Sequence, residues 1–214
     1  MSEAQNWHID TLGAKAVDAL AKNNFTANYV KTRKEAVERV LAVIPEGATV
    51  GMGGSWTTTV DLALGELLEK RGHTVYNHNK PGLTPEQIMD CRHKQLACDV
   101  FLSSSNAVTL DGQLVNVDGI GNRVAAMIFG PPKVVVVAGI NKIVRDVPAA
   151  EERIALYAAP INNKRLKRPN PCTQTGICMD CQGPTRICNI TTIIRKKPGL
   201  TDFHVIIVGE NLGF

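Results

Sequence analysis

The chain has 214 residues, 44% of them apolar and 21% charged, a composition that fits one sizeable globular core and excludes disorder, collagen and coiled coil. Its net charge of +4, from 24 basic and 20 acidic residues, is too mild to argue for nucleic acid, and no nucleic-acid partner is expected. The first residues lack the apolar segment of a signal peptide, and the longest apolar run, Val134 to Ile140, is too short to cross a bilayer, so the expected location is the cytoplasm with no membrane span.

Trp7 to Lys22 reads as a helix, and residues 1–31 as an N-terminal helical segment before the main domain at 32–214. Thr32 and Glu35 have the spacing of a capping box before a second helix carrying Val37, Val40, Leu41 and Ile44, stopped by Pro45 and Gly47. A short strand, Thr49 to Met52, runs into a glycine-rich turn at Gly51, Gly53 and Gly54. Beyond it a single helix is expected with the stripe Val60, Leu64, Leu67 and Leu68, closed by Gly72. A strand at His73 to Tyr76 and a helix opened by Thr84, Pro85 and Gln87 follow. Strands are then expected at 100–103, 107–109 and 114–117, a short helix at 122–129, a buried strand at Val134 to Ala138, a helix at 149–157 and a late strand at 203–208. Helices alternating with strands, one of them wholly apolar, predict an α/β fold with a mainly parallel sheet covered on both faces. Ligands of such sheets bind outside the carboxyl ends of the strands, which draws attention to the turns after Met52, Val117 and Ala138.

The loop at 170–189, NPCTQTGICMDCQGPTRICN, holds four of the six cysteines: Cys172, Cys178, Cys181 and Cys188. In a reducing compartment such a cluster points to metal or redox chemistry before disulfides. The two-residue gap between Cys178 and Cys181 lets two thiolates bind one centre, and the prolines and glycines around it suit a loop folded about an ion or cluster. Only one close pair is present, which fits an iron–sulfur cluster, [4Fe-4S] in the first reading, with zinc as the alternative; a redox-active dithiol is a third option. Cys91 and Cys98 read as small core residues.

Three loops could hold a ligand. Gly53, Gly54 and Ser55 precede a helix and bare their backbone to an anion, without the lysine of a phosphate-binding loop or a full dinucleotide fingerprint. Asn116, Asp118, Gly119, Gly121, Asn122 and Arg123 combine an acid/base, amides and a guanidinium suited to a carboxylate, and Asp118 is the catalytic candidate. Lys142 follows the buried strand and is placed to hold a substrate anion. His73, His78 and His93 show no ligand spacing, and Trp56 and Tyr76 are expected to pack on the sheet.

Taken in order, MGGSWTTT at Met52 to Thr59, NVDGIGNR at Asn116 to Arg123, VVVVAGINKIVRD at Val134 to Asp146 and the late cysteine loop resemble the LutC-type lactate utilization family, the LUD domain. The resemblance implies a three-layer α/β/α fold similar to the isomerase and CoA-transferase superfamily. It also implies a bacterial cytoplasmic protein working with iron–sulfur partner proteins in oxidising L-lactate to pyruvate; a homodimer is a separate expectation. The function expected from the whole is an iron–sulfur subunit or accessory factor that binds a small organic acid such as lactate, or an anionic cofactor, at the glycine loops. The rivals are a sugar-phosphate isomerase, whose phosphate site and acid/base this chain could provide, a CoA-transferase-like enzyme, against which the absence of a glutamate nucleophile from the glycine loops counts, and a zinc-stabilised binding module without enzymatic activity.

Overall fold

The computed structural model describes residues 2–214. Helix α1 (Glu3–Lys22) starts earlier than its apolar spacing suggests, because Ser2 and Gln5 close a capping box ahead of it. Strand β1 (Thr26–Val30) follows, then α2 (Arg33–Val43). Thr32 caps α2 by accepting from the Glu35 N–H, but the Glu35 carboxylate accepts from the Lys31 N–H rather than from Thr32, so the expected box is half formed. Strand β2 (Val50–Met52) leads to the glycine turn.

The single helix expected beyond that turn is in fact two pieces. A π-helical turn, Thr57–Asp61, is separated from α3 (Leu64–Lys70) by Ala63 in the left-handed region at φ 46. This break rotates Val60 out of the apolar stripe, and it is exposed while Leu64 and Leu68 are buried. Next come β3 (Val75–Asn77) and α4 (Pro85–Leu96), whose Thr84 and Gln87 make both bonds of the capping box. Strands β4 (Val100–Ser103), β5 (Ala107–Thr109) and β6 (Leu114–Asp118) precede α5 (Asn122–Ile128), β7 (Lys133–Gly139) and β8 (Ile143–Val144). Helix α6 (Val147–Arg153) continues through a π-helical turn into α7 (Ala159–Arg165), and α8 (Cys172–Thr175), β9 (Ile190–Ile194) and β10 (Asp202–Val208) complete the chain.

Six parallel strands form the central sheet in the order β1, β10, β7, β4, β2, β3. Both faces are buried, and side chains alternate between them with the period of two that a strand imposes. Val135, Val137, Ile206 and Val208 face a layer with Ala36 and Val40 of α2 and Leu64 and Leu68 of α3. Val134, Val136, Phe203, Val205 and Ile207 face Leu20 of α1 and Ala126 and Met127 of α5. This is a three-layer α/β/α core. A second sheet, β8, β5, β6, β9, packs Val108, Leu114 and Ile194 into the latter layer and covers its other side with Ala150 and Ile154. Residues 1–31 therefore contribute an edge strand as well as a helix, since β1 pairs with β10 along its whole length.

From β2 the chain moves outward to β3, then returns to the other side of β2 for β4, β7 and β10. The direction of winding thus reverses between β2 and β4, and the crevice at such a switch point is where open α/β sheets bind ligands. One glycine fixes the neighbouring strand end. A Cβ on Gly139 would fall on the backbone nitrogen of Leu212 and within 2.6 Å of the Glu210 carbonyl oxygen. Gly139→Ala is therefore expected to cost about 3 kcal/mol through backbone overpacking. Urea unfolding reads the loss, and a variant as stable as the parent would show that the C-terminal segment yields freely.

Candidate functional site

The carboxyl ends of β2, β4, β6 and β7 open onto one cleft of about 540 Å³. Gly53, Gly54, Ser55, Asp118, Gly119, Asn122, Arg123 and Lys142 all line it, so the three sequence loops converge. Gly53 docks on β4 through its N–H to the Leu102 carbonyl, and a Cβ there would press within 3.0 Å of the Phe101 ring and Ser103 Oγ. Gly54 sits at φ +74, a conformation that glycine adopts at no steric cost. The N–H groups of Gly54 and Ser55 make no hydrogen bond among the described residues, and the Ser55 hydroxyl makes none either. Gly121, also left-handed at φ +91, starts α5, and Asn116 lies beneath the cleft rather than on it.

Arg123 is a clamp. Its Nε donates to Asp118 Oδ1 at 2.8 Å, Nη1 to the Ser104 carbonyl at 3.0 Å and to Asn116 Oδ1 at 2.6 Å, and Nη2 to Asn106 Oδ1 at 2.9 Å and the Val117 carbonyl at 3.1 Å. All five guanidinium donors are used within the protein, which fits a positioning role better than a direct grip on a carboxylate. Asp118 accepts from Arg123 on one oxygen and from the Val124 N–H on the other, so it caps α5 as it faces the cleft.

Lys142 is 3% exposed, at the bottom of the cleft. Its Nζ donates to Ser104 Oγ at 2.7 Å and Thr57 Oγ1 at 3.2 Å, and no carboxylate pairs with it among the described residues. Burial pushes its pKa down to about 7, helped by the positive charges of Arg153 and Arg123 and opposed by Asp61. The C-terminal segment lies against it: Asn141 accepts from the Leu212 N–H and donates to the Gly213 carbonyl.

Several cleft residues carry no recognised spacing in the sequence. Ser104, Ser105 and Asn106 extend β4 into the site, and the only sequence signal is a run of small polar residues ending an apolar strand. His78 lines the wall and bonds Gln95; burial, then the charge of Arg92, lowers its pKa. Tyr76 packs on the sheet as expected, but Trp56 lines the cleft beside Phe214, ring centres 5.8 Å apart, with the Arg165 guanidinium over both.

The cysteine loop is folded against this cleft. Asn170 ties its ends together, donating to Asn163 Oδ1 at 2.6 Å and the Thr185 carbonyl at 2.9 Å. Cys172, Cys178, Cys181 and Cys188 are all free thiols and line one small cavity of about 20 Å³. Burial raises the Cys188 pKa to about 11, with charge on Cys178 acting the same way and Arg186 opposing it. Among the described residues no three Cys, His, Asp or Glu side chains stand in an arrangement that holds a single metal ion. Arg186 and Ile187 form a wall common to the thiol cavity and the cleft. The contact is close: Asn189 donates to the carbonyls of Asp118 and Gly119, both at 2.9 Å, and a Cβ on Gly119 would stand 3.1 Å from Ile187 Cα.

Comparison with protein families gives a match to the LUD domain over residues 13–208, well over half of the chain. The chain belongs to the LUD domain family. Membership supports a function related to lactate utilization in general terms. Among solved structures, the LUD chain is similar to a DUF162 family protein from Deinococcus radiodurans, at 15% identity and a TM-score of 0.50, over 97% of this chain and 99% of that one. At that identity the likeness speaks for the α/β fold alone. No curated protein matches this LUD sequence. Among the described residues, no helix is long and apolar enough to cross a membrane.

Proposed function

We propose that this protein is an iron–sulfur subunit of L-lactate oxidation, with a small organic acid or anionic cofactor bound in the cleft and a cluster held by Cys172, Cys178, Cys181 and Cys188. The carrying observation is the wall of Arg186 and Ile187 common to both cavities, which puts a four-thiol donor set next to a cationic ligand site. What supports the group is donor chemistry: four free, softly ligating sulfurs in one loop whose ends are fixed by Asn170. When bound, a cluster supplies a one-electron acceptor that passes charge to iron–sulfur partner proteins. The chain's own residues bind and orient the acid: Lys142 and the free N–H groups of Gly54 and Ser55 offer positive charge and donors to its carboxylate. Oxidation of a 2-hydroxy acid to a 2-oxo acid releases two electrons and two protons, so the electrons would leave in two successive one-electron transfers through the cluster to the partner proteins, and one proton would pass to solvent. Asp118, on the cleft wall, is the acid/base candidate for one of those protons, with Arg123 fixing its orientation.

The test is iron, acid-labile sulfide and a visible spectrum on protein purified without oxygen. About four irons and four sulfides per chain are expected, with colour that bleaches on reduction. The double variant Cys178→Ser/Cys181→Ser should lose the iron while keeping its far-ultraviolet circular dichroism, because the loop contributes little to the two main core layers. Undiminished iron in that variant would sink the assignment, and one zinc per chain without colour would make the loop a structural staple.

A further inference from the structure

We infer that the cleft takes a ligand with at least two negative charges joined to a flat ring, the chemistry of a nucleoside diphosphate. Its charged end lies over Lys142 and the Gly53–Ser55 turn, and its ring against Trp56 and Phe214. This rests on the reading that the cleft is the ligand site, and not on the cluster.

Charge carries the first half. Six cations line the cleft, Arg92, Arg123, Lys142, Arg165, Arg168 and Arg186, against one acid, Asp118. Asp118 is already paired with Arg123, and Arg186 with Asp180. The other four form no ion pair among the described residues. Two of them are placed at a cost that an anion would relieve. Lys142 is buried between two neutral hydroxyls, and Arg92 Nε is buried with no hydrogen-bond partner. A monocarboxylate offsets one of four like charges, whereas a diphosphate offsets most of them. The bare backbone donors of Gly54 and Ser55 are the type of group that cradles phosphate oxygens.

Size and shape carry the second half. A cleft of about 540 Å³ is in the range of pockets that enclose cofactor-sized molecules, and lactate fills a small part of it. The aromatic end is continuous with the cationic floor, since Lys142 bonds the hydroxyl of Thr57, the residue after Trp56, and Gly213 precedes Phe214 beside the same amine. Trp56, Phe214 and the Arg165 guanidinium over both form a surface on which a planar base stacks through dispersion and cation–π attraction.

The chain has two tryptophans, and Trp7 is well exposed, so Trp7→Phe leaves Trp56 as a single fluorescent reporter in an intact protein. Titration of that variant with ADP, inorganic pyrophosphate and L-lactate compares the chemistries directly. ADP is expected to quench Trp56 and to bind about tenfold tighter than pyrophosphate, the difference being ring stacking, with L-lactate weaker than both. Arg165→Gln, half-buried at the end of α7 and bonded among the described residues only to Asn162 of the same helix, should bring ADP affinity down to about that of pyrophosphate while circular dichroism stays unchanged. The proposal is overturned if ADP binds no tighter than L-lactate, or if pyrophosphate equals ADP and Trp56 emission does not move. Iron content measured on the same sample reports on the cluster separately, so the two readings fail independently.

Discussion

Replacing Lys142 by methionine is expected to make the ligand-free protein more stable at neutral pH while abolishing anion binding. The amine is nearly inaccessible, bonds only the hydroxyls of Thr57 and Ser104, and faces Arg153 and Arg123 with Asp61 as the one opposing charge. Folding lowers its pKa from 10.5 to about 7. Between those values the unfolded chain holds a proton that the folded chain has released, so stability rises with pH across that window and the full cost is borne at and below its lower end. The cost is on the order of 4 kcal/mol. Methionine keeps the unbranched apolar stem and removes the charge, but leaves two buried hydroxyls short of a partner at about 1 kcal/mol each. The net gain is about 2 kcal/mol, or a Tm higher by about 6 °C. Urea unfolding at pH 6 and pH 10 decides the cause: the variant should gain about 2 kcal/mol at the lower pH and lose about 1 kcal/mol at the higher, where the charge costs little and the two hydroxyls stay unpaired. A gain equal at both would show that charge is not what Lys142 costs. An anion bound beside Nζ restores the ordinary pKa, so it is taken up with a proton near neutrality and its affinity falls as pH rises above about 7. Holding a cation there against its own solvation is a trade of stability for function.

What the sequence made legible is what local pattern encodes. The apolar runs at 134–138 and 203–208 became adjacent central strands, and Thr84 with Gln87 closed both bonds of its box. The strand at Thr26–Val30 was hidden because TANYV lies at the sheet edge and shows no alternation of buried and exposed residues. Ile190–Ile194 was hidden because only its antiparallel pairing with β6, some seventy residues earlier, makes it a strand. The stripe from Val60 to Leu68 misled because one left-handed residue, Ala63, breaks the helical period without a glycine or proline to announce it. At the site, the glycine, NVDGIGNR and lysine loops were readable as chemistry, but their meeting point is not local. It needs the strand order to reverse between β2 and β4, and that reversal brings in Ser104, Asn106 and His78, which carry no spacing of their own. Arg123 shows the limit most plainly. Its type and neighbours suggested a free fork for a substrate, and only the fold reveals that every prong is engaged.

Removing that fork is the second large effect. Arg123→Ala strips hydrogen bonds from the carbonyls of Ser104 and Val117, from the side chains of Asn106 and Asn116, and from the buried carboxylate of Asp118. The expected cost is about 4 kcal/mol, because breaking a buried pair from one side leaves an uncompensated charge. That is a large part of the 5–15 kcal/mol typical of a folded domain. Arg123→Lys keeps the charge but has three donors in place of five and no planar fork, so it should lose about 2 kcal/mol. The pair also predicts its own coupling. In Arg123→Ala/Asp118→Ala the orphaned carboxylate is gone, and the double variant should be less destabilised than the sum of the single ones by at least 1 kcal/mol. Urea denaturation of the four proteins measures this, and strict additivity would mean that Asp118 is satisfied by the Val124 N–H alone. Coupling of that size makes Arg123 the residue that holds the ends of β4 and β6 together. Because the same guanidinium bonds the Ser104 carbonyl, and the Ser104 hydroxyl accepts from Lys142 at 2.7 Å, Arg123→Ala is expected to loosen the Lys142 contact as well.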